Sequence, residues 1–82
     1  MYYTYVLQSE KDKRFYTGFT RDLKLRFEEH NKGHVRSTKD RVPLKLVYYE
    51  ACLDQDDATK REKYLKSYLG KQFLHNRLKS VV

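Results

Sequence analysis

The chain has no tryptophan, one cysteine, one proline and three glycines, and it carries no long apolar run. Each shortage excludes something. The lone Cys52 rules out an internal disulfide, and its place beside the run LVYYEACL fits a buried, inert thiol in a reduced, cytoplasmic setting. No stretch approaches the roughly 18 apolar residues that suggest a membrane span. The N-terminus MYYTYVLQSEKDK lacks the basic and apolar regions of a signal peptide, so a soluble intracellular protein with no membrane partner is expected. Repeats, low-complexity tracts and Ser/Gly linkers are absent, and 82 residues suffice for one domain, taken as residues 1–82.

Positive charge is what the chain has in excess. Lys and Arg number 18 against 11 Asp and Glu, and the net charge of +7 favours a polyanionic partner such as nucleic acid or an acidic membrane surface. Charge alone does not choose between them. Eight tyrosines accompany it, a residue that in strands more often packs than reacts.

Residues 2–8, YYTYVLQ, suit a half-buried strand, and RFYTG suits a second one ending at Gly18, with a five-residue connection that makes the pair a hairpin. Thr20 is a plausible helix N-cap, Asp22 complements the helix start, and the helix runs to about Asn31 with Gly33 just beyond. Leu23 and Phe27 form its buried stripe, and Arg26 and His30 fall beside that stripe, facing the sheet, whereas Lys24 points away. The stretch from His30 to Pro43 has no period and carries Lys32, Arg36, Lys39 and Arg41 against Asp40 alone, which predicts a mobile basic loop able to hold nucleic acid. Pro43 introduces the strand LKLVYYEAC. A second helix begins at Asp54 or Asp56 and stops at Gly70; a third, KQFLHNRLKSVV, turns Phe73, Leu74, Leu78 and Val81 inward. The order β-β-α-β-α-α predicts an α+β domain with a small, mostly antiparallel sheet flanked by helices.

One position breaks the pattern. Ala58, Leu65 and Leu69 make a stripe at i, i+7 and i+11, and its i+4 member is Glu62. A carboxylate on a core-facing stripe is paired, sits at the edge of the core, or binds a cation. Pairing with Lys66 at i+4 is one reading and metal binding is the other.

Tyr3-Thr4-Tyr5, Tyr16-Thr17-Gly18, TRDLKLRFEEHNKG, PLKLVYYE and ATKREKYLK follow one another in this order. In that succession the chain resembles the GIY-YIG nuclease superfamily, in particular its small single-domain members, over residues 2 to about 68. The first tripeptide lacks both glycine and isoleucine, and the second has Thr17 for isoleucine. The resemblance implies a three-stranded antiparallel sheet flanked by helices and a divalent-metal-dependent endonuclease acting on DNA, branched or structured DNA included, in repair or recombination. It implies Tyr5, Tyr16, Arg26 and His30 as catalytic residues, Glu62 as ligand of Mg²⁺ or Mn²⁺, and Asn76 and Lys66 as active-site support. Tyr5 is the favoured general base, provided that nearby cations lower its pKa from about 10. With no room for a targeting domain, a protein partner is a candidate source of specificity. Two alternatives stay open: a non-catalytic nucleic-acid-binding module on the same fold, and an adaptor whose basic loop docks an acidic partner.

Overall fold

The computed structural model describes residues 1–81. Strands β1 (Tyr2–Ser9) and β2 (Phe15–Thr20) precede helix α1 (Leu23–Asn31); β3 (Leu44–Cys52), α2 (Gln55–Lys66) and α3 (Tyr68–Arg77) follow. The sheet order is β2-β1-β3, all antiparallel, so β2 is an open edge. This is the predicted α+β architecture in the predicted order.

Alternation along β1 divides the core in two. Tyr5 and Leu7 point to one face and pack with Leu44, Leu23 and Phe27 beneath α1, while Val6 points to the other and packs with Leu65 and Leu74 beneath α2 and α3. A bulge in β3 opposite Val6 and Leu7 sets Val47 and Tyr48 both against the second cluster. Polar clasps fix the layers: Thr4 Oγ1 donates to Ala58 O at 2.9 Å, and Arg61 grips Glu50 through Nε and Nη2 at 2.9 Å each. The Arg61 guanidinium also lies 4.9 Å from the Phe73 ring centroid, joining β3, α2 and α3.

The local signals at α1 shift by two residues. Asp22, not Thr20, is the N-cap, accepting from Leu25 N–H at 3.1 Å, while Thr20 Oγ1 accepts from Asp22 N–H in the turn before it. Gly33 ends the helix as predicted, with φ +76°.

The second long helix is corrected more sharply. It stops at Ser67, which caps both neighbours: its hydroxyl donates to Tyr64 O at 2.5 Å and accepts from Gly70 N–H at 3.2 Å. Gly70 is therefore no stop but a buried position in the first turn of α3, where a Cβ would lie 1.9 Å from Tyr64 O. Because the helix breaks there, Leu69 leaves the predicted stripe and is 62% exposed. The third helix correspondingly starts earlier, at Tyr68, and ends at Arg77, before Leu78 and Val81. Val82, placed in that helix by the sequence, lies outside the described residues. Cys52 is half-buried rather than buried, its thiol donating to Asp54 O.

Candidate active site

β1 delivers Tyr5 to the α1 face, directly opposite Gly18 on β2. The phenol lies across that glycine: a Cβ at Gly18 would sit 2.6 Å from Tyr5 Oη. This explains the glycine of the second tripeptide, since any side chain there would displace Tyr5. One turn of α1 separates Arg26 from His30, as the spacing predicts, and His30 goes deeper than the edge of the core. His30 has no exposed surface.

The imidazole is held at both nitrogens. Nε2 is 2.9 Å from Tyr5 Oη, and Nδ1 is 2.7 Å from Thr38 Oγ1. The Tyr16 ring meets it edge-on at 5.2 Å between centroids. Thr38 is fully buried, although it belongs to the stretch read from sequence as a mobile loop. That stretch is irregular, as predicted, but it is anchored: Val35 and Thr38 are buried, Thr38 N–H donates to Val35 O, and Arg41 N–H donates to Thr38 O. Ser37 Oγ donates to Tyr16 Oη at 3.3 Å, so the loop also touches the second tyrosine.

Burial, reinforced by the neighbouring Arg26 charge, pushes the His30 pKa down to about 4, so the ring is neutral at pH 7. Burial likewise raises the Tyr5 pKa, assisted by Tyr16 and Glu62; Arg26 pulls it down but is outweighed. Tyr5 therefore keeps its proton in the free protein, and the expected lowering by cations does not prevail. Arg26 Nη1 pairs with Glu29 Oε1 at 3.4 Å, and His30 Nε2 is the hydrogen-bond partner of the buried phenol, so the assignment that gives the phenol proton a place has Tyr5 O–H donating to Nε2 and Nδ1–H donating to Thr38 Oγ1.

Arg26, His34, Val35, Arg36 and Ser37 line an open cleft, which brings one predicted loop cation beside Arg26. Lys32 and Lys39 are exposed. Arg41 is not available in this way: Nε is 3.1 Å from Asp12 Oδ2 and Nη2 donates to Arg14 O, a clasp between loop and hairpin.

Glu62 sits on α2, near enough to Tyr5 for its charge to act on the phenol, and its side chain is 18% exposed. Its Oε2 lies 3.1 Å from Lys66 Nζ, so the i, i+4 pair read from sequence is formed. Asn76 is exposed on α3 and lines a surface depression with Tyr68, Lys71, Gln72 and His75, not with Tyr5 or His30. Thr38, Ser37 and the cations of α3 escaped the sequence reading. Nothing in a polar loop marks one threonine as the partner of a histidine eight residues earlier.

A family model described as the GIY-YIG catalytic domain matches residues 1–77. This chain belongs to the GIY-YIG family. The UPF0213 protein CPE1444 of Clostridium perfringens is 40% identical over 75 residues, covering 90% of this chain and 80% of that protein. The UPF0213 protein HQ_3675A of Haloquadratum walsbyi is 37% identical over 68 residues, 82% of this chain and 75% of that protein. The solution structure of the UPF0213 protein BH0048 from Bacillus halodurans matches with a TM-score of 0.57 at 31% identity, covering 93% of this chain and 84% of that one. The GIY-YIG family is a nuclease superfamily that generally uses divalent metals and binds nucleic acid.

Among the described residues, no group of three or more His, Cys, Asp or Glu side chains could enclose a metal ion. Glu62 alone still fits a hard cation of the kind that retains several waters and is completed by substrate phosphate. No helix among these residues is long and apolar enough to cross a membrane.

Proposed function

We propose that this GIY-YIG chain is a single-domain endonuclease that hydrolyses DNA phosphodiester bonds with Mg²⁺ or Mn²⁺, in repair or recombination. The observation that carries this reading is the buried chain Thr38–His30–Tyr5 ending beside Arg26 and within electrostatic reach of Glu62. It supplies a proton path and a phosphate clamp in one place. Water gives a proton to the Tyr5 oxygen as Tyr5 passes its own to His30 Nε2; the hydroxide oxygen bonds to phosphorus and the bond to the departing oxygen breaks. That oxygen leaves with the electron pair as an alkoxide that takes a proton from solvent water, while His30 later returns its proton through Tyr5 to solvent. Arg26 faces the charge that grows on the non-bridging oxygens. A phosphate on Arg26 also offsets the cationic charge that helps hold the His30 pKa down, so His30 becomes a better proton store when substrate is bound. Tyr16, tied to Ser37, positions the phosphate. Glu62 would hold the metal ion, with Lys66 beside it, and the ion would supply added positive charge for the attacked phosphate. Branched or structured DNA is the proposed substrate, with a protein partner supplying selection.

A second reading is a nucleic-acid-binding module without turnover. The Glu62–Lys66 pair favours it, because a lysine already occupies one oxygen of the sole candidate ligand.

Duplex, flap, branched and single-stranded DNA incubated with Mg²⁺ or Mn²⁺ decides between them. Cleavage is expected, to be lost in EDTA and in Glu62→Gln while binding persists. If wild type binds DNA but cuts none of these substrates, the second reading stands. A Glu62→Gln protein cutting at the wild-type rate removes Glu62 from the site.

A further inference from the structure

Three depressions adjoin Lys71 of α3, two of them between α3 and the β2 side of the hairpin and the third on α3 itself. The first, about 240 Å³, starts at Tyr16 and Lys66 and reaches Phe15 and Lys71. The second, about 390 Å³, lies between Arg14 and Phe15 on the hairpin and Lys71 and His75 on α3. The third continues from Lys71 and His75 to Tyr68. Lys71 borders all three and His75 two of them, so they adjoin one another as an interrupted trough, and its inner depression reaches Tyr16, a candidate catalytic tyrosine. The floor is aromatic and aliphatic, the rim is cationic, and none of the lining residues is acidic.

Two features of the trough go beyond charge. Tyr68 is 74% exposed, and its hydroxyl accepts from Gln72 Nε2 at 2.9 Å, which orients the ring without burying it. The His75 ring is exposed beside Lys71 and rests on Phe15, 5.9 Å between centroids. Ring faces alternating with cations match a strand whose bases are unpaired, since a duplex presents phosphates but hides its base faces.

We infer that this trough binds a single-stranded nucleic-acid segment leading away from the reaction centre, with phosphates on Arg14 and Lys71 and bases on Tyr68 and His75. The inference rests on the nuclease reading for where the strand leads, not for whether it binds. Asn76 then belongs to this track.

Fluorescence anisotropy in EDTA over a range of salt tests it, using labelled oligothymidine of about 12 nucleotides and a DNA hairpin duplex of similar length. Arg14→Ala/Lys71→Ala should lower the slope of log affinity against log salt by about 1.4 on the single strand, about 0.7 for each cation removed. Tyr68→Ala should weaken single-strand binding about fivefold or more, with the slope kept and duplex affinity little changed. The inference is overturned if Tyr68→Ala binds the single strand like wild type, if both strands weaken equally, or if polyglutamate responds to Tyr68→Ala in the same way. Wild-type protein that binds as described but never cleaves leaves the track standing and removes the nuclease reading. Cleavage by wild type with unaltered binding by both variants does the reverse.

Discussion

His30 ties stability to pH through one side chain. Its ring is fully buried, with one nitrogen on Tyr5 and the other on Thr38, and burial followed by Arg26 holds its pKa at about 4. In the unfolded chain it takes up a proton near pH 6.5, in the folded one near 4, so between those values the unfolded state binds more protons. The contribution is complete above pH 6.5 and is lost as pH falls toward 4, an effect on the order of 3 kcal/mol. Asp12 behaves differently. The Arg14 N–H and the Arg41 side chain pull its carboxyl below the ordinary 3.8, so its contribution is lost only at still lower pH. Urea denaturation at about pH 7 and about pH 4.5 should show wild type losing stability across the His30 window, and His30→Gln losing much less. Equal pH dependence in the two proteins would mean that the fold does not hold this ring neutral.

Scaled up to elements, the sharpest test lies where α2 meets α3. Gly70 looks open to improvement by helix propensity, since alanine is favoured over glycine in a helix by about 1 kcal/mol. The packing reverses that sign. A Cβ at Gly70 would fall 1.9 Å from Tyr64 O and 2.5 Å from Leu65 Cα, both backbone atoms that no rotamer change can move aside. Gly70→Ala should destabilise the protein by about 1–3 kcal/mol as α3 is pushed off α2, read as a lower urea midpoint. A variant as stable as wild type would show that the two helices can separate freely. The same junction marks where the sequence stopped being legible. β1, β2, α1 and β3 could be read because alternation, the Thr20–Asp22 start signal and Gly33 are local signals that tertiary packing reinforces, although the cap itself proved to be Asp22 and not Thr20. Ser67 sits in YLKSYLGK, with no proline to mark the break and a glycine three residues later that suggested the wrong stop. The site divides along the same line. Tyr5, Tyr16, Arg26 and His30 come together because hairpin pairing and one helical turn dictate it. Thr38 joins them only through loop anchoring, and Arg41 is drawn away by Asp12, 29 residues earlier; neither interaction has a periodicity to betray it.

Over the whole molecule, the surplus of positive charge is spread unevenly around the β2 edge. On one side the loop presents Arg36 beside Arg26, with Lys32 and Lys39 exposed nearby; on the other, Arg14, Lys66 and Lys71 rim the α3 trough. Tyr16 stands between the two surfaces, touched by Ser37 from the loop and sharing a cavity with Lys66. A polyanion crossing the edge would therefore meet cations on both sides of Tyr16, and each phosphate that a cation neutralises releases counterions. Four basic residues in the loop do not neutralise four phosphates, however, because Arg41 already bridges to Asp12 and to Arg14 O. Replacing Lys32, Arg36 and Lys39 together with alanine should lower the slope of log affinity against log salt on duplex DNA by about 2–3, at about 0.9 for each phosphate left without its cation. Arg41→Ala should leave that slope alone and instead lower the urea midpoint, since it frees the loop that carries Thr38 from the hairpin. A slope that falls with Arg41→Ala as much as with any one of the other three would show that the clasp opens on DNA, and that this arginine is part of the binding surface after all.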